Sequence, residues 1–221
     1  MVSAAGAAQT DPRKERARET RRRMVHAATK LFAERGYANT PMTAIAVEAG
    51  VAVQTLYFTF HNKNALLMEA YDYAVTADKP DEWPRHDWMA ALAAEPDPRK
   101  ALEMQADLNL EVYQRIGGLL RAVQALMGDP EIAAFVAQRE GLRVKGFGRF
   151  IDMISAKSGG LRPGVSRQEA IDTLLLVHGP GAMDFLLRER GWTPRKWRDW
   201  SVRVLVATLL TAPEPSAEIL T

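Results

Sequence analysis

Residues 36–67 read GYANTPMTAIAVEAGVAVQTLYFTFHNKNALL, and the punctuation of this stretch decides the fold. Thr40-Pro41 joins a hydroxyl suited to helix capping to a proline tolerated in the first helical turn, which predicts a helix starting there. Met42, Ile45, Ala46 and Ala49 recur at the spacing of one apolar helical face, and Gly50 is well suited to close that helix in a left-handed conformation. A second short helix is expected over residues 51–60. Its anchors are Val51, Leu56 and Phe60, leaving Val53, Gln54, Thr55 and Phe58 without a core role. Two short helices crossing steeply, the second with free residues near its start, fit the major groove of B-DNA.

Working outward, the pattern G-Y-x-x-T, I-A-x-x-A-G-V, T-L-Y-x-x-F-x-x-K resembles the DNA-binding domain of the TetR (tetracycline-repressor-like) family over residues 20–67. A second patch, ERGWTPRKWRDW at residues 189–200, resembles the end of the ligand-binding domain in an actinobacterial branch. The resemblance implies a homodimeric transcriptional regulator with a palindromic double-stranded DNA operator and a small-molecule effector. Two positions depart from the pattern. Gln54 stands where the family usually has a small residue, and Ala52 where it usually has a hydroxyl that contacts phosphate.

Charge distribution agrees with a nucleic-acid partner. Net charge over 221 residues is only +2, but residues 11–63 hold ten Lys/Arg against five Asp/Glu, whereas residues 64–221 hold nineteen against twenty-two. Phosphate neutralisation supplies the sequence-independent part of DNA binding, so a basic head on a mildly acidic body suits that role. A hydrophobic content of 47% supports a packed core, and zero cysteines exclude disulfides and thiolate metal sites. The absence of a secretory apolar segment after Met1 and of a long apolar run leads to the expectation of a cytoplasmic protein without membrane spans.

The expected fold is all-α. Residues 1–11 read as a disordered arm, 12–62 as a three-helix DNA-binding head, 63–212 as a helical ligand-binding and dimerisation domain, and 213–221 as a flexible tail. Asp11-Pro12 starts a helix running to Arg35, whose basic residues Arg13, Lys14, Arg16, Arg18, Arg21, Arg22 and Arg23 can lie along phosphates or simply form a solvated face. A helix from Lys63 ends before the Pro-containing loop at 79–84. Helices then follow near Trp88 and over 98–127, 130–158, 167–190 and 194–210, separated by Gly/Pro-rich breaks.

Within the head, Thr40, Tyr57 and Lys63 are expected near phosphate oxygens, Tyr57 having a core aromatic as its alternative, and Thr43 is a further expected DNA-binding residue. Gln54 suits a bidentate contact to adenine, with an exposed surface glutamine as the alternative; Thr55 suits a thymine methyl or a phosphate, and Val53 an apolar contact. Phe58 reads either as a wedge or as core.

In the body, Gln105, Asn109 and Tyr113 lie four apart on the long helix beginning near Pro98, close to a stripe that should be buried. With Trp88, Met104, Leu108, Phe147, Phe150 and Met153 they either line a ligand pocket or pack as core. His178 falls on an apolar face just before Gly179-Pro180-Gly181, which should bend or break its helix, and reads as structural or as a pocket residue. Leu174, Leu175, Trp197, Trp200, Val204, Leu205 and Thr208 are the expected dimerisation residues. Two heads reading half-sites about 34–36 Å apart require a dimer. No H-E-x-x-H, P-loop, G-x-S-x-G or dinucleotide fingerprint occurs, and His26, His61, His86 and His178 are scattered. Neither catalysis nor a cofactor nor a metal is expected. The alternative within the regulator class is a ligand-independent regulator, or an activator, whose body only dimerises.

Overall fold

The computed structural model describes residues 11–76 and 86–211, except for the side chains of residues 86 and 87. The N-terminal arm, the 79–84 loop and the C-terminal tail expected from the sequence fall wholly or mostly outside the described residues. Among the described residues the fold is all-α, with a single isolated bridge, Leu161 to Leu210, and no strand.

Helix starts follow a repeated rule. Prolines open α1 (Pro12–Arg35), α6 (Pro98–Ala125), α7 (Pro130–Ser155) and α10 (Pro194–Leu209), each preceded by a capping Asp11, Asp97, Asp129 or Thr193 whose side chain accepts a first-turn N–H. Thr40-Pro41 departs from that rule. There α2 (Met42–Ala49) begins one residue later, with Pro41 in the cap position and no side-chain cap. Thr40 is fully buried and turns inward, its hydroxyl 2.8 Å from the Gly36 carbonyl and 3.2 Å from that of Leu31.

Helix α3 (Val53–Phe60) is bent 107° from α2. Gly50 makes the corner at φ +66, so that the Val51 N–H reaches the Ala46 carbonyl and the Gly50 N–H that of Val47. Helix α4 (Lys63–Thr76) starts where Asn62 accepts the Ala65 N–H at 2.7 Å. It buries Leu66, Leu67, Ala70 and Ala74 against α1 and α6. One apolar core therefore runs from Met24, Phe32, Ile45 and Leu56 in the head through α4 to Ile116, Leu119 and Ile132. Where α1 and α6 meet, a Cβ at Gly118 would lie 2.6 Å from Ala33 Cα, an approach no other residue tolerates without a shift.

Helix α5 (His86–Ala94) precedes α6, which packs against α1, α4, α7 and α10; α8 (Arg167–Val177) lies on α7 and α10, and α6 also meets α9 (Pro180–Met183), which continues as the π-helical turn Asp184–Glu189. The helix expected over 167–190 is broken between Val177 and Pro180, where the Gly179-Pro180-Gly181 run predicts a bend or break. A Cβ at Gly179 would meet the Leu175 carbonyl oxygen at 2.3 Å, and Pro180 has no N–H to continue the ladder. The 167–189 stretch is apolar, with a mean hydropathy of 1.3 in its richest 18 residues, and 44% of those 18 are buried in the protein.

Candidate nucleic-acid interface

The core anchors of α3 are Leu56 and Phe60, both buried, while Val51 is half-buried. Their burial turns the opposite face outward: Gln54 is exposed, Tyr57 is 51% exposed and Phe58 87%. An aromatic ring left that bare on a well-packed helix has no folding role, since burial is what stabilises such a side chain. Val53 and Thr55 are half-buried, and Thr43 is exposed on the first turn of α2. Neither α2 nor α3 has a side-chain N-cap; the Ala44 and Thr55 N–H groups bond to the Pro41 and Ala52 carbonyls, and the N–H groups of the two residues before each make no side-chain cap bond, a donor arrangement that suits phosphate.

Two expected phosphate contacts are placed differently. Thr40 is sealed inside the α1–α2 turn. Lys63 sends Nζ back to the Tyr37 carbonyl at 2.5 Å and sits 4.0 Å from the Tyr37 ring centroid, its ammonium pushed below the usual lysine pKa by burial. The ion therefore pins the α1–α2 connection to α4. Its neighbour Asn64 was not singled out in the sequence; it accepts the Tyr37 hydroxyl at 2.5 Å and donates to Asp129 at 2.8 Å.

Along α1, Arg13, Lys14, Arg16, Arg18, Arg22 and Arg23 are exposed, whereas Arg21 is held by a bidentate pair with Glu69 and lies 4.6 Å from the Phe60 ring centroid. Arg21 thus braces α3 and α4. Val47, 82% exposed on α2, is a further bare apolar residue that helical periodicity did not mark.

In the body the polar row on α6 finds partners at the end of α8 and beyond its break. Asn109 Nδ2 lies 2.9 Å from both the Gln105 carbonyl and His178 Nδ1. The Tyr113 hydroxyl donates to Asp184 at 2.9 Å, and Arg188, also bonded to Asp184, holds that carboxyl below its ordinary pKa. Burial pushes the Tyr113 phenol upward and lowers His178 to about 3. Gln105, Phe147, Phe150 and His178 are buried; Trp88, Met104 and Met153 pack half-buried on the same core as Phe147 and Phe150, and Leu108 is half-exposed. None of these residues lines the outer groove of about 560 Å³ between α4 and α7, or that of about 330 Å³ between α1 and α2.

Of the expected dimerisation residues, Leu174, Trp197 and Leu205 are fully buried within the protomer, because their stripe faces α6 and α7. Leu175, Trp200 and Val204 are half-buried and Thr208 is exposed. The bare apolar side chains in this region are instead Leu176 and Phe185, 74% and 51% exposed.

Comparison with known proteins matches this head and fold. Residues 24–70 match the model for bacterial regulatory proteins of the TetR family. The HTH-type transcriptional regulator TtgR of Pseudomonas putida is 31% identical over 103 residues, 47% of this chain and 45% of TtgR. The chain thus aligns with about half the length of this curated relative. A transcriptional regulator from Saccharomonospora viridis, solved with choline, has the same fold at TM-score 0.71 and 20% identity, over 88% of this chain and 100% of that one. FadR of Bacillus subtilis, solved with stearoyl-CoA, superposes at TM-score 0.63 and 16% identity, over 84% and 97%. The helix-turn-helix head, residues 24–70, is thus similar to that of the TetR family of bacterial regulatory proteins.

Proposed function

We propose that the protein is a homodimeric transcriptional regulator that binds a palindromic operator and is released from it, as a repressor, by an apolar or aromatic small molecule. The observation carrying this reading is α3, whose Gln54, Tyr57 and Phe58 stand bare beyond a 107° corner on a head rich in exposed arginine. Gln54 reads a base, Tyr57 and Thr43 hold phosphates, and Val53, Thr55 and Phe58 make apolar groove contacts. Two copies meet through α8 and α10, around Leu175, Leu176, Trp200, Val204 and Thr208. The choline and stearoyl-CoA bound by proteins of this fold support an effector in the body. Release is a population shift, and a ligand weakens operator binding only by its differential affinity for the two states.

The second reading, in which the body only dimerises, is favoured by the close packing of Gln105, Phe147, Phe150 and His178. Sedimentation velocity on the protein with a palindromic duplex tests the assembly: two chains per duplex are expected, and a single chain per duplex would overturn it.

A further inference from the structure

The tautomer of His178 follows from its partner. Asn109 Nδ2 faces the Gln105 carbonyl, which can only accept, so that atom is the amide nitrogen and its second hydrogen points at His178 Nδ1. The ring nitrogen Nδ1 therefore accepts, and the single imidazole hydrogen sits on Nε2. That N–H is buried and has no acceptor, and the same is true of the Trp197 indole N–H. The two rings touch, their centroids 5.3 Å apart, with His178 2% exposed and Trp197 fully buried. Buried N–H groups are nearly always bonded, and leaving one unmade destabilises the fold, so two in contact call for an explanation.

We infer that His178 and Trp197 form the polar end of an effector site whose occupant is an uncharged, largely apolar molecule carrying a hydrogen-bond-accepting oxygen. This rests on the reading of the body as a ligand-binding domain. The pair offers two N–H donors and no hydrogen-bond acceptor, so an ammonium would leave both donors unpaired. Arg121 and Arg188 are both directed at Asp184, so a buried carboxylate would have no counter-ion beside these two rings. Phe147, 6.4 Å from the His178 ring, and Ala106 and Met183, clustered with Trp197, supply apolar wall. The cover is α9 and the π-helical turn, a departure from regular helix of the kind that recurs at functional sites.

The test uses the full chain and three probes of matched shape: acetophenone, ethylbenzene and 1-phenylethylamine. Thermal shift and the ¹H–¹⁵N resonances of the tryptophan indoles are read, with Trp197 assigned by its loss in Trp197→Phe. Acetophenone is expected to raise Tm and move the Trp197 indole resonance, with ethylbenzene and 1-phenylethylamine at least tenfold weaker. The paired variant Asn109→Leu/His178→Leu, which removes donor and acceptor together, is expected to fold and to bind acetophenone at least tenfold more weakly. Equal binding of ethylbenzene and acetophenone, or an unmoved Trp197 resonance at saturation, overturns the inference. Failure of all three probes overturns the effector reading on which it stands, and the inference with it.

Discussion

Asn64 on α4 donates through Nδ2 to Asp129 at 2.8 Å, and Asp129 is also the N-cap of α7. The same amide accepts the Tyr37 hydroxyl through Oδ1, so one side chain ties the end of the head to the start of a body helix. Substituting Asn64→Ala strips a partner from both groups and should cost about 1–3 kcal/mol, read as a lower urea midpoint. Asn64→Asp should cost more at pH 7, because it sets a second carboxylate beside Asp129, and should regain part of the loss near pH 4.

The contact between Gly118 and Ala33 permits a sharper test of packing. A Cβ at 118 would stand 2.6 Å from Ala33 Cα and 2.7 Å from its Cβ. Gly118→Ala usually helps a helix by up to about 1 kcal/mol, but here overpacking of about 1–3 kcal/mol should win. The measured outcome should be a lower Tm; a raised Tm would mean that α1 and α6 can part without loss.

On the head, stability and affinity should separate. Gln54→Ala and Phe58→Ala remove exposed atoms, so stability to urea should stay within about 0.5 kcal/mol of the parent. Gln54→Ala should lose about 1–3 kcal/mol of discrimination at one base position, leaving random-sequence affinity unchanged. Lys63→Ala should behave oppositely, lowering Tm and weakening every duplex alike, because its ammonium braces the Tyr37 carbonyl.

His178 makes stability depend on pH. Burial depresses its folded pKa to about 3, below the ordinary value of 6.5. The unfolded chain therefore binds more protons between those values, and stability falls as pH drops from 6.5 toward 3, by up to about 1.4 kcal/mol per pH unit. Its contribution is fully present above pH 6.5. His178→Asn, which keeps an acceptor for Asn109, should flatten this part of the profile in urea titrations at pH 7.5 and 5.

The sequence made the head legible because its punctuation is local. Gly50, the Leu56 and Phe60 anchors and the Asp-Pro and Thr-Pro helix starts each act within a few residues of themselves. Thr40 was misplaced because a threonine before proline reads as a cap whether its hydroxyl faces a first-turn N–H or, as here, carbonyls of the preceding helix. Lys63 was oriented outward because nothing local announces the Tyr37 carbonyl. In the body, the row Gln105, Asn109, Tyr113 was visible by spacing, but its partners His178 and Asp184 lie about seventy residues away. Trp197 looked like an interface residue because an amphipathic stripe does not say whether its cover is the same chain or a second one.

The central claim is sequence-specific DNA binding by α3. It is tested most directly by fluorescence anisotropy of the purified protein against duplexes tiled across the DNA flanking its own gene, at near-physiological salt with excess random competitor. A saturable, competitor-resistant tile whose preference is lost in Gln54→Ala is the predicted result. Weak binding to every tile, erased by salt and equally reduced for specific and random duplexes in Gln54→Ala, would contradict it.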